Sequence, residues 1–347
     1  MNKKRIVLGM SGGVDSSTSA YMLKEDGFEV IGVTLVVSKE QRESQDLKDA
    51  IALAKELEIE HIILDIVDEF NEKIVKYFVD EYSKGMTPSP CVVCDEIIKM
   101  KKLIETANLK DAYYIGTGHY CEVSRDNRFN KSLFKKPADT RKDQGYMLYR
   151  IDSEIIDRMI FPLAKYEKTL VREKAKSYGA KVHDKKDSQG ICFAKEGYLE
   201  FLKKALGDKI KPGNFVDNSG KILGQHQGYQ LYTIGQRRGL GVLFPKIYFI
   251  IDIIPEKNEI ILGDYIELYR KKVELEDFKT QIPFETLLEM RVFAKPRFSS
   301  LGFYGKVIKE NEKIYFEYEE ENPQNAKGQH LVIYSDDLVI GGGKIIF

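Results

Sequence analysis

Apolar residues in the first third of the chain follow two alternating spacings. Ile6, Val7 and Leu8 form a short continuous run, and Glu29–Val36 and Ile62–Ile66 give two more. Between them Leu47, Ala50, Ile51, Ala54 and Leu57 recur at helical spacing, as do Phe70, Ile74, Tyr77 and Phe78 up to Gly85. Short continuous runs fit strands buried on both faces, and the three-to-four spacing fits amphipathic helices. The pattern predicts strand Ile6–Leu8, a helix opening at Asp15 and ending near Gly27, then two further strand–helix pairs. After Pro88-Ser89-Pro90 a helix carries Ile97, Met100, Leu103 and Ile104, and strand Tyr113–Ile115 closes in Gly116-Thr117-Gly118. Repeated β–α units predict an α/β fold built on a doubly wound parallel sheet, with ligands at the carboxyl ends of its strands.

From about Lys211 the texture changes. Asn218-Ser219-Gly220 reads as a hairpin turn, and strands Tyr248–Ile254 and Glu259–Leu262 flank Pro255-Glu256-Lys257-Asn258. Beyond Asp277 the apolar runs Met290–Phe293, Phe303–Ile308, Ile314–Tyr318, Leu331–Tyr334, Leu338–Ile340 and Ile345–Phe347 alternate with turn chemistry, which predicts a small β-barrel. The expected division is an α/β domain over 1–205, a central β-rich domain over 206–270 and a C-terminal β-barrel over 271–347.

Composition narrows the partners. Lys+Arg and Asp+Glu each number 54 in 347 residues, so no global basic field advertises nucleic acid, and any RNA surface is local. The apolar run after Met1-Asn2-Lys3-Lys4-Arg5 stops at Met10, too short for a signal peptide or a membrane span. The expected location is the cytoplasm, with no membrane partner. The four cysteines, Cys91, Cys94, Cys121 and Cys192, then read as catalytic, metal-binding or core residues, not as a disulfide scaffold.

The densest chemistry is Gly9-Met10-Ser11-Gly12-Gly13-Val14-Asp15-Ser16-Ser17, lying between a strand and a helix. Backbone N–H groups and the helix dipole converge there, glycines permit close approach, and serines add hydroxyl donors, which together suit a phosphate. Asp15 can cap the helix or stand near a magnesium ion. No G-K-[ST] follows, so it is not a Walker loop. Cys91-Val92-Val93-Cys94, at a helix start, can share a metal or have depressed thiol pKa values. Cys192 follows the polar stretch Lys186-Asp187-Ser188-Gln189-Gly190-Ile191, and on its own reads as a small core residue.

The serine–glycine loop resembles the PP-loop of ATP pyrophosphatases, which split ATP between its α and β phosphates. The order of motifs along nearly the whole chain is similar to that of the tRNA-specific 2-thiouridylases of the MnmA type. Those motifs are Gly9–Ser17, Pro88–Lys99, Thr117-Gly118-His119-Tyr120, Lys142-Asp143-Gln144, Asp187–Phe193, Tyr232-Thr233-Ile234-Gly235-Gln236-Arg237-Arg238-Gly239-Leu240 and Gly341-Gly342-Gly343. The resemblance implies that ATP, with Mg2+, adenylates the C2 oxygen of the wobble uridine and that sulfur then displaces AMP. It implies Cys94 as the attacking cysteine and Cys192 as the persulfide carrier. It places ATP on Gly9, Met10, Ser11, Gly12, Gly13, Val14, Asp15 and Ser16, with Leu35 and Gly118 as further contacts. It assigns tRNA to His119, Lys142, Asp143 and Gln144, and to Phe298, Ser299 and Gln329 in the β-rich end. It also implies a sulfur donor, such as a cysteine desulfurase or a sulfur relay protein.

One departure opens a second sulfur route. Many relatives carry an aspartate where this chain has Cys91, and here Cys91, Cys94 and Cys192 make a three-cysteine set. Such a set is similar to iron–sulfur-dependent thiolation enzymes, where three thiolates hold a [4Fe–4S] cluster with one iron open. Thiolation at another RNA position, and a PP-loop ligase that adenylates without thiolation, are the remaining alternatives.

Overall fold

The computed structural model describes residues 1–185 and 190–347, which form two compact units. The first comprises 1–74, 91–193 and 337–339. Its sheet has five parallel strands in the order β3-β2-β1-β4-β7: β1 is Asn2–Gly9, β2 Glu29–Val36, β3 Glu60–Asp65, β4 Ala112–Gly116 and β7 Met159–Ile160. Ile6, Val7 and Leu8 are fully buried, as a strand covered on both faces requires. β1 lies between β2 and β4, so the chain order reverses beside it, and a crevice opens at its carboxyl end.

Helix α1, Val14–Glu25, starts one residue before the expected Asp15 and is buried nearly all round. Its polar residues fit that setting because they bond back into the helix: Thr18 Oγ1 donates to Val14 O at 2.8 Å and Ser19 Oγ to Asp15 O at 2.9 Å. Helix α2, Gln45–Glu56, is capped by Ser44, whose side chain accepts the Leu47 N–H. Its buried face is Leu47, Ala50, Leu53 and Ala54, whereas Ile51, read as part of the apolar face, is 43% exposed. The core between sheet and helices joins Ile6, Leu8, Val14, Ala20 and Leu23 to Ala50, Leu53 and Ala175. Ala175 belongs to the helix Lys168–Ser177, which thereby lies against α1.

The sequence pattern missed three features of this unit. β5, Glu122–Asp126, and β6, Lys131–Lys135, form an antiparallel hairpin whose charged ends mask the alternation. Leu338 and Val339 pair with Lys135 and Phe134 of β6. β7 has only two residues, too few for any periodicity.

The second unit comprises 75–90, 194–336 and 340–347. Its four-stranded sheet runs β10-β11-β8-β9, with β8 Gly213–Val216, β9 Ile222–His226, β10 Phe249–Ile254 and β11 Glu259–Gly263. β8 and β9 are the hairpin expected around Asn218-Ser219-Gly220, and Gly220 supplies the positive φ of its turn. The remaining strands are β12 Arg270–Thr280, β13 Val292–Lys295, β14 Phe303–Glu310, β15 Lys313–Asn322, β16 His330–Ser335 and β17 Leu338–Ile346. They follow the order β12-β15-β14-β13-β16-β17, and β12 pairs with β17, which closes a six-stranded barrel. Closure removes both sheet edges. β12 falls within the expected barrel range but precedes the first apolar run read there, Met290–Phe293, since its run of Lys and Glu hides the alternation that buries Val273 and Leu275. Gly341 and Gly342 pair with Thr280 and Lys279 at this seam. Among the described residues no helix is long and apolar enough to cross a membrane.

Candidate active site

The loop after β1 has the construction its sequence suggested. Gly13 is the N-cap of α1 and no side chain caps the helix. The first bond of the helical ladder is Ser17 N–H to Gly13 O at 3.1 Å, so the N–H groups of Val14, Asp15 and Ser16 lie outside it. With the positive end of the helix dipole they form an anion cradle. Hydroxyls hold its shape: Ser11 N–H donates to Ser16 Oγ at 3.1 Å, and Ser16 Oγ donates to Gly13 O at 3.2 Å. Gly12 has φ +73°, and a Cβ there would stand 1.9 Å from the carbonyl oxygen of Asp46 in the first turn of α2. Only glycine fits.

Asp15 does not cap the helix. Its carboxylate accepts two bonds from Lys168 Nζ, both 2.7 Å, and one from the Tyr120 hydroxyl at 2.9 Å. Leu35 and Gly118 follow at the ends of β2 and β4, on either side of β1. A Cβ on Gly118 would come within 2.8 Å of Ser16 N and 2.9 Å of Asp15 C, both backbone atoms. The Gly9–Ser16 stretch and Gly118 are thus brought together as expected.

Cys91 and Cys94 lie on the five-residue helix Pro90–Cys94, which continues into a π-helical turn, Asp95–Lys99. Bonding from i to i+5 lines up residues five apart, which puts Lys99 over Cys94, and such turns recur at functional sites. Cys91 and Cys192 are exposed and Cys94 is half-buried. Neighbouring protein atoms nonetheless disfavour the thiolate at all three. Burial pushes the Cys91 thiol up to about 11, with Asp95 adding to the rise and Lys99 opposing it. Burial likewise raises Cys94 and Cys192, again against Lys99. The depressed thiol pKa values expected from the helix start are therefore not found, because one short helix does not offset the loss of water.

All three thiols feel Lys99, and Cys192 acts on both Cys91 and Cys94, so the fold gathers residues far apart in sequence. Among the described residues, however, no group of three or more His, Cys, Asp or Glu side chains could hold a metal ion. A metal arriving at Cys91, Cys94 and Cys192 would have to displace their protons, since a ligand must be a thiolate. Cys121 is fully buried, with its sulfur 3.6 Å from the carbonyl oxygens of Glu122 and Lys135, and serves as packing.

Beneath the thiols lies a polar network that the sequence did not reveal. Lys99 pairs with the buried Asp95, and its ammonium stands 3.5 Å from His119 Nε2. Burial, reinforced by Lys99, pulls the His119 pKa down to about 4, so the imidazole is neutral. An ammonium only donates, so Nε2 accepts, and Nδ1–H donates to Thr117 Oγ1 at 2.7 Å. Lys99 is thus a fixed cation next to the thiols. Asp95 and Lys99 lie within the Pro88–Lys99 motif, but no spacing rule marks them as partners of His119.

The expected tRNA residues fall into three groups. His119 is 12% exposed and turned toward this network. In Lys142-Asp143-Gln144, Asp143 is buried and accepts the Gly145 N–H at 2.9 Å, while Gln144 accepts the Tyr120 N–H at 2.8 Å. The triplet is therefore tied into the fold through Asp143 and Gln144. Phe298 is 41% exposed beside exposed Ser299, with Lys295 Nζ 5.7 Å from its ring centre. Gln329 donates to Thr87 O at 2.9 Å and accepts from Ser89 Oγ at 3.4 Å, so it pins the segment before Pro90. Arg237 and Arg238 are exposed on a turn held by Gln236, which accepts the Thr233 N–H and donates to Arg238 O. Asp187, Ser188 and Gln189 of the motif leading to Cys192 lie outside the described residues.

Three family matches tile the chain: a tRNA methyl transferase HUP domain over 4–196, a tRNA methyl transferase PRC-barrel domain over 199–264 and an aminomethyltransferase β-barrel domain over 270–345. The tRNA-specific 2-thiouridylase MnmA 2 of Fusobacterium nucleatum is 52% identical over 342 residues, covering 99% of each chain. The tRNA-specific 2-thiouridylase MnmA 1 of Clostridium botulinum (strain Loch Maree) is 39% identical, covering 99% of each. The tRNA-specific 2-thiouridylase MnmA 1 of Thermoanaerobacter pseudethanolicus is 42% identical, covering 98% of this chain and 97% of that one.

Proposed function

The chain belongs to the MnmA family of tRNA-specific 2-thiouridylases, and it forms 2-thiouridine in tRNA; from that premise we propose how its own residues divide the work. ATP occupies the cradle Gly9–Ser16, with Leu35 and Gly118 beside it. The wobble uridine O2 attacks the α-phosphorus, pyrophosphate leaves, and C2 carries AMP as a leaving group. A metal ion arriving with ATP fits Asp15, a half-exposed carboxylate beside the cradle. The observation that carries the sulfur step is the gathering of Cys94 and Cys192 around one fixed cation, Lys99.

In this reading Cys192 receives sulfur from a donor protein as a persulfide. The terminal sulfur bonds to C2 as AMP departs. Cys94, having lost its proton, attacks the Cys192 sulfur and breaks the S–S bond. The products are the thiolated base and a Cys94–Cys192 disulfide, which an external dithiol reduces. The fixed ammonium of Lys99 lowers the cost of each thiolate in turn, which matters because burial otherwise keeps the thiols protonated. His119, Lys142, Asp143, Gln144, Phe298, Ser299 and Gln329 are offered as the tRNA contacts, with exposed Phe298 suited to stack a base.

We favour the persulfide route over a cluster because Cys94 and Cys192 both lie in the field of one fixed cation, Lys99, which supports a thiolate on each in turn. Colourless, iron-free protein supplied with a persulfide donor is expected to thiolate unmodified tRNA, and Cys91→Ala is expected to keep at least roughly a third of the rate, the behaviour of a residue outside the nucleophilic step. Nucleoside mass analysis with an iron assay checks both. Iron-dependent thiolation lost in Cys91→Ala would restore the cluster. Gly118→Ala is expected to weaken ATP binding at least roughly tenfold, since a Cβ there meets backbone atoms of the cradle. Equilibrium titration with ATP measures it, and wild-type affinity would remove Gly118 from the site.

A further inference from the structure

The cradle holds phosphate-binding N–H groups and hydroxyls but no lysine or arginine between Gly9 and Leu23. ATP brings about four negative charges, and loops of the Walker type meet them with a lysine of their own. Two lysines from elsewhere in the same unit reach this loop. Lys185 donates to Gly12 O at 3.0 Å and to Asp49 at 2.7 Å and also pairs with Asp46. It is committed to a carbonyl and two carboxylates, and carbonyls do not face a phosphate.

Lys168 is placed differently. It is 9% exposed, yet its ammonium stands at the first turn of α1, 2.7 Å from each oxygen of Asp15. The Tyr120 ring lies 5.8 Å from the same ammonium. Its backbone N–H is held by buried Asp139 Oδ2 at 3.2 Å, which fixes the start of the helix Lys168–Ser177 relative to the cradle. A shielded ammonium needs an anion at all times. Asp15 supplies one now, and a phosphate can supply one later.

We propose that Lys168 is the pyrophosphate-binding cation of this loop, held in reserve on Asp15 until ATP arrives. The inference rests on the assignment of ATP to Gly9–Ser16. When the metal carried by ATP takes the Asp15 carboxylate, the ammonium transfers to the β- and γ-phosphate oxygens. The two charges exchange partners without either being left uncompensated. Lys168 then steadies the pyrophosphate as it separates from the α-phosphorus. The residue is not visible in the loop motif because it lies far along the chain, at the start of an ordinary amphipathic helix.

The test compares ligands with and without the outer phosphates. In Lys168→Met the affinity for ATP and for inorganic pyrophosphate is expected to fall roughly tenfold to a hundredfold, the range of one charge-assisted hydrogen bond, while AMP affinity changes less than about threefold. Lys168→Arg should recover most of the loss. Asp15→Asn removes the negative charge that competes for the ammonium, so metal-free pyrophosphate should bind more tightly than to wild type, and the gain should vanish in the Asp15→Asn/Lys168→Met double variant. Unchanged ATP affinity in Lys168→Met, or equal loss of ATP and AMP, overturns the proposal. Should a methionine variant fail to fold, a wild-type response of Asp15→Asn to metal-free pyrophosphate overturns it equally. Failure of the wild-type protein to bind ATP at all would instead strike the assignment of the loop.

Discussion

Serine in place of Cys94 or Cys192 is expected to lower 2-thiouridine formation by roughly three orders of magnitude or more, the scale on which loss of a nucleophile acts. Both side chains lie in the field of Lys99, and neither anchors the core: Cys192 is exposed and Cys94 half-buried. ATP and tRNA binding should therefore persist in each variant. The two failures should also differ in kind. Cys192→Ser should not take up labelled sulfur from a persulfide donor. Cys94→Ser should take it up on Cys192 and stall before a protein disulfide forms. Mass spectrometry of the intact protein and of tRNA nucleosides separates these cases, and full thiolation by either variant would remove that residue from the mechanism.

Alanine at Ser16 or Asp15 is the second large effect. Ser16 accepts from Ser11 N–H and donates to Gly13 O, so its loss loosens the cradle at the point where charge develops on the departing pyrophosphate. Asp15→Ala removes the carboxylate that Lys168 bonds. Pyrophosphate release is expected to fall roughly a hundredfold to a thousandfold in each, comparable to removing a preorganised donor from an anion site. The fold should survive, because Asp15 is half-exposed and Ser16 packs no large side chain. Pyrophosphate release at the wild-type rate would sink the role given to the loop.

The α/β sheet was legible because strands buried on both faces are continuous apolar runs. Glu29–Val36 has the same bounds in sequence pattern and in structure. The loop Gly9–Ser16 was legible for a related reason: glycine, serine and aspartate between a strand and a helix act through backbone geometry, which is local. The hairpin turn at Asn218-Ser219-Gly220 followed from turn chemistry in the same way.

Long-range pairing lay beyond any such reading. Charged residues along β12 hid a barrel strand whose register is set by partners distant in the chain, Lys272 opposite Glu317 and Leu275 opposite Ile345. The thiol pKa values reversed sign from expectation because they depend on how much protein crowds the sulfur, a property of packing. In Lys142-Asp143-Gln144 only the fold turns Asp143 inward to Gly145 and Gln144 to Tyr120.

Sequence by itself determined the sheet, the cradle and the family chemistry, because each is written in neighbouring residues or in motif order. Tertiary structure alone decided which charges serve those motifs. Lys99 stands with Asp95 and His119 beneath three cysteines, and Lys168 stands on Asp15 from the far end of the first unit's chain. Pairings of this kind leave no periodicity, since a buried ion pair constrains two points in space and nothing in between.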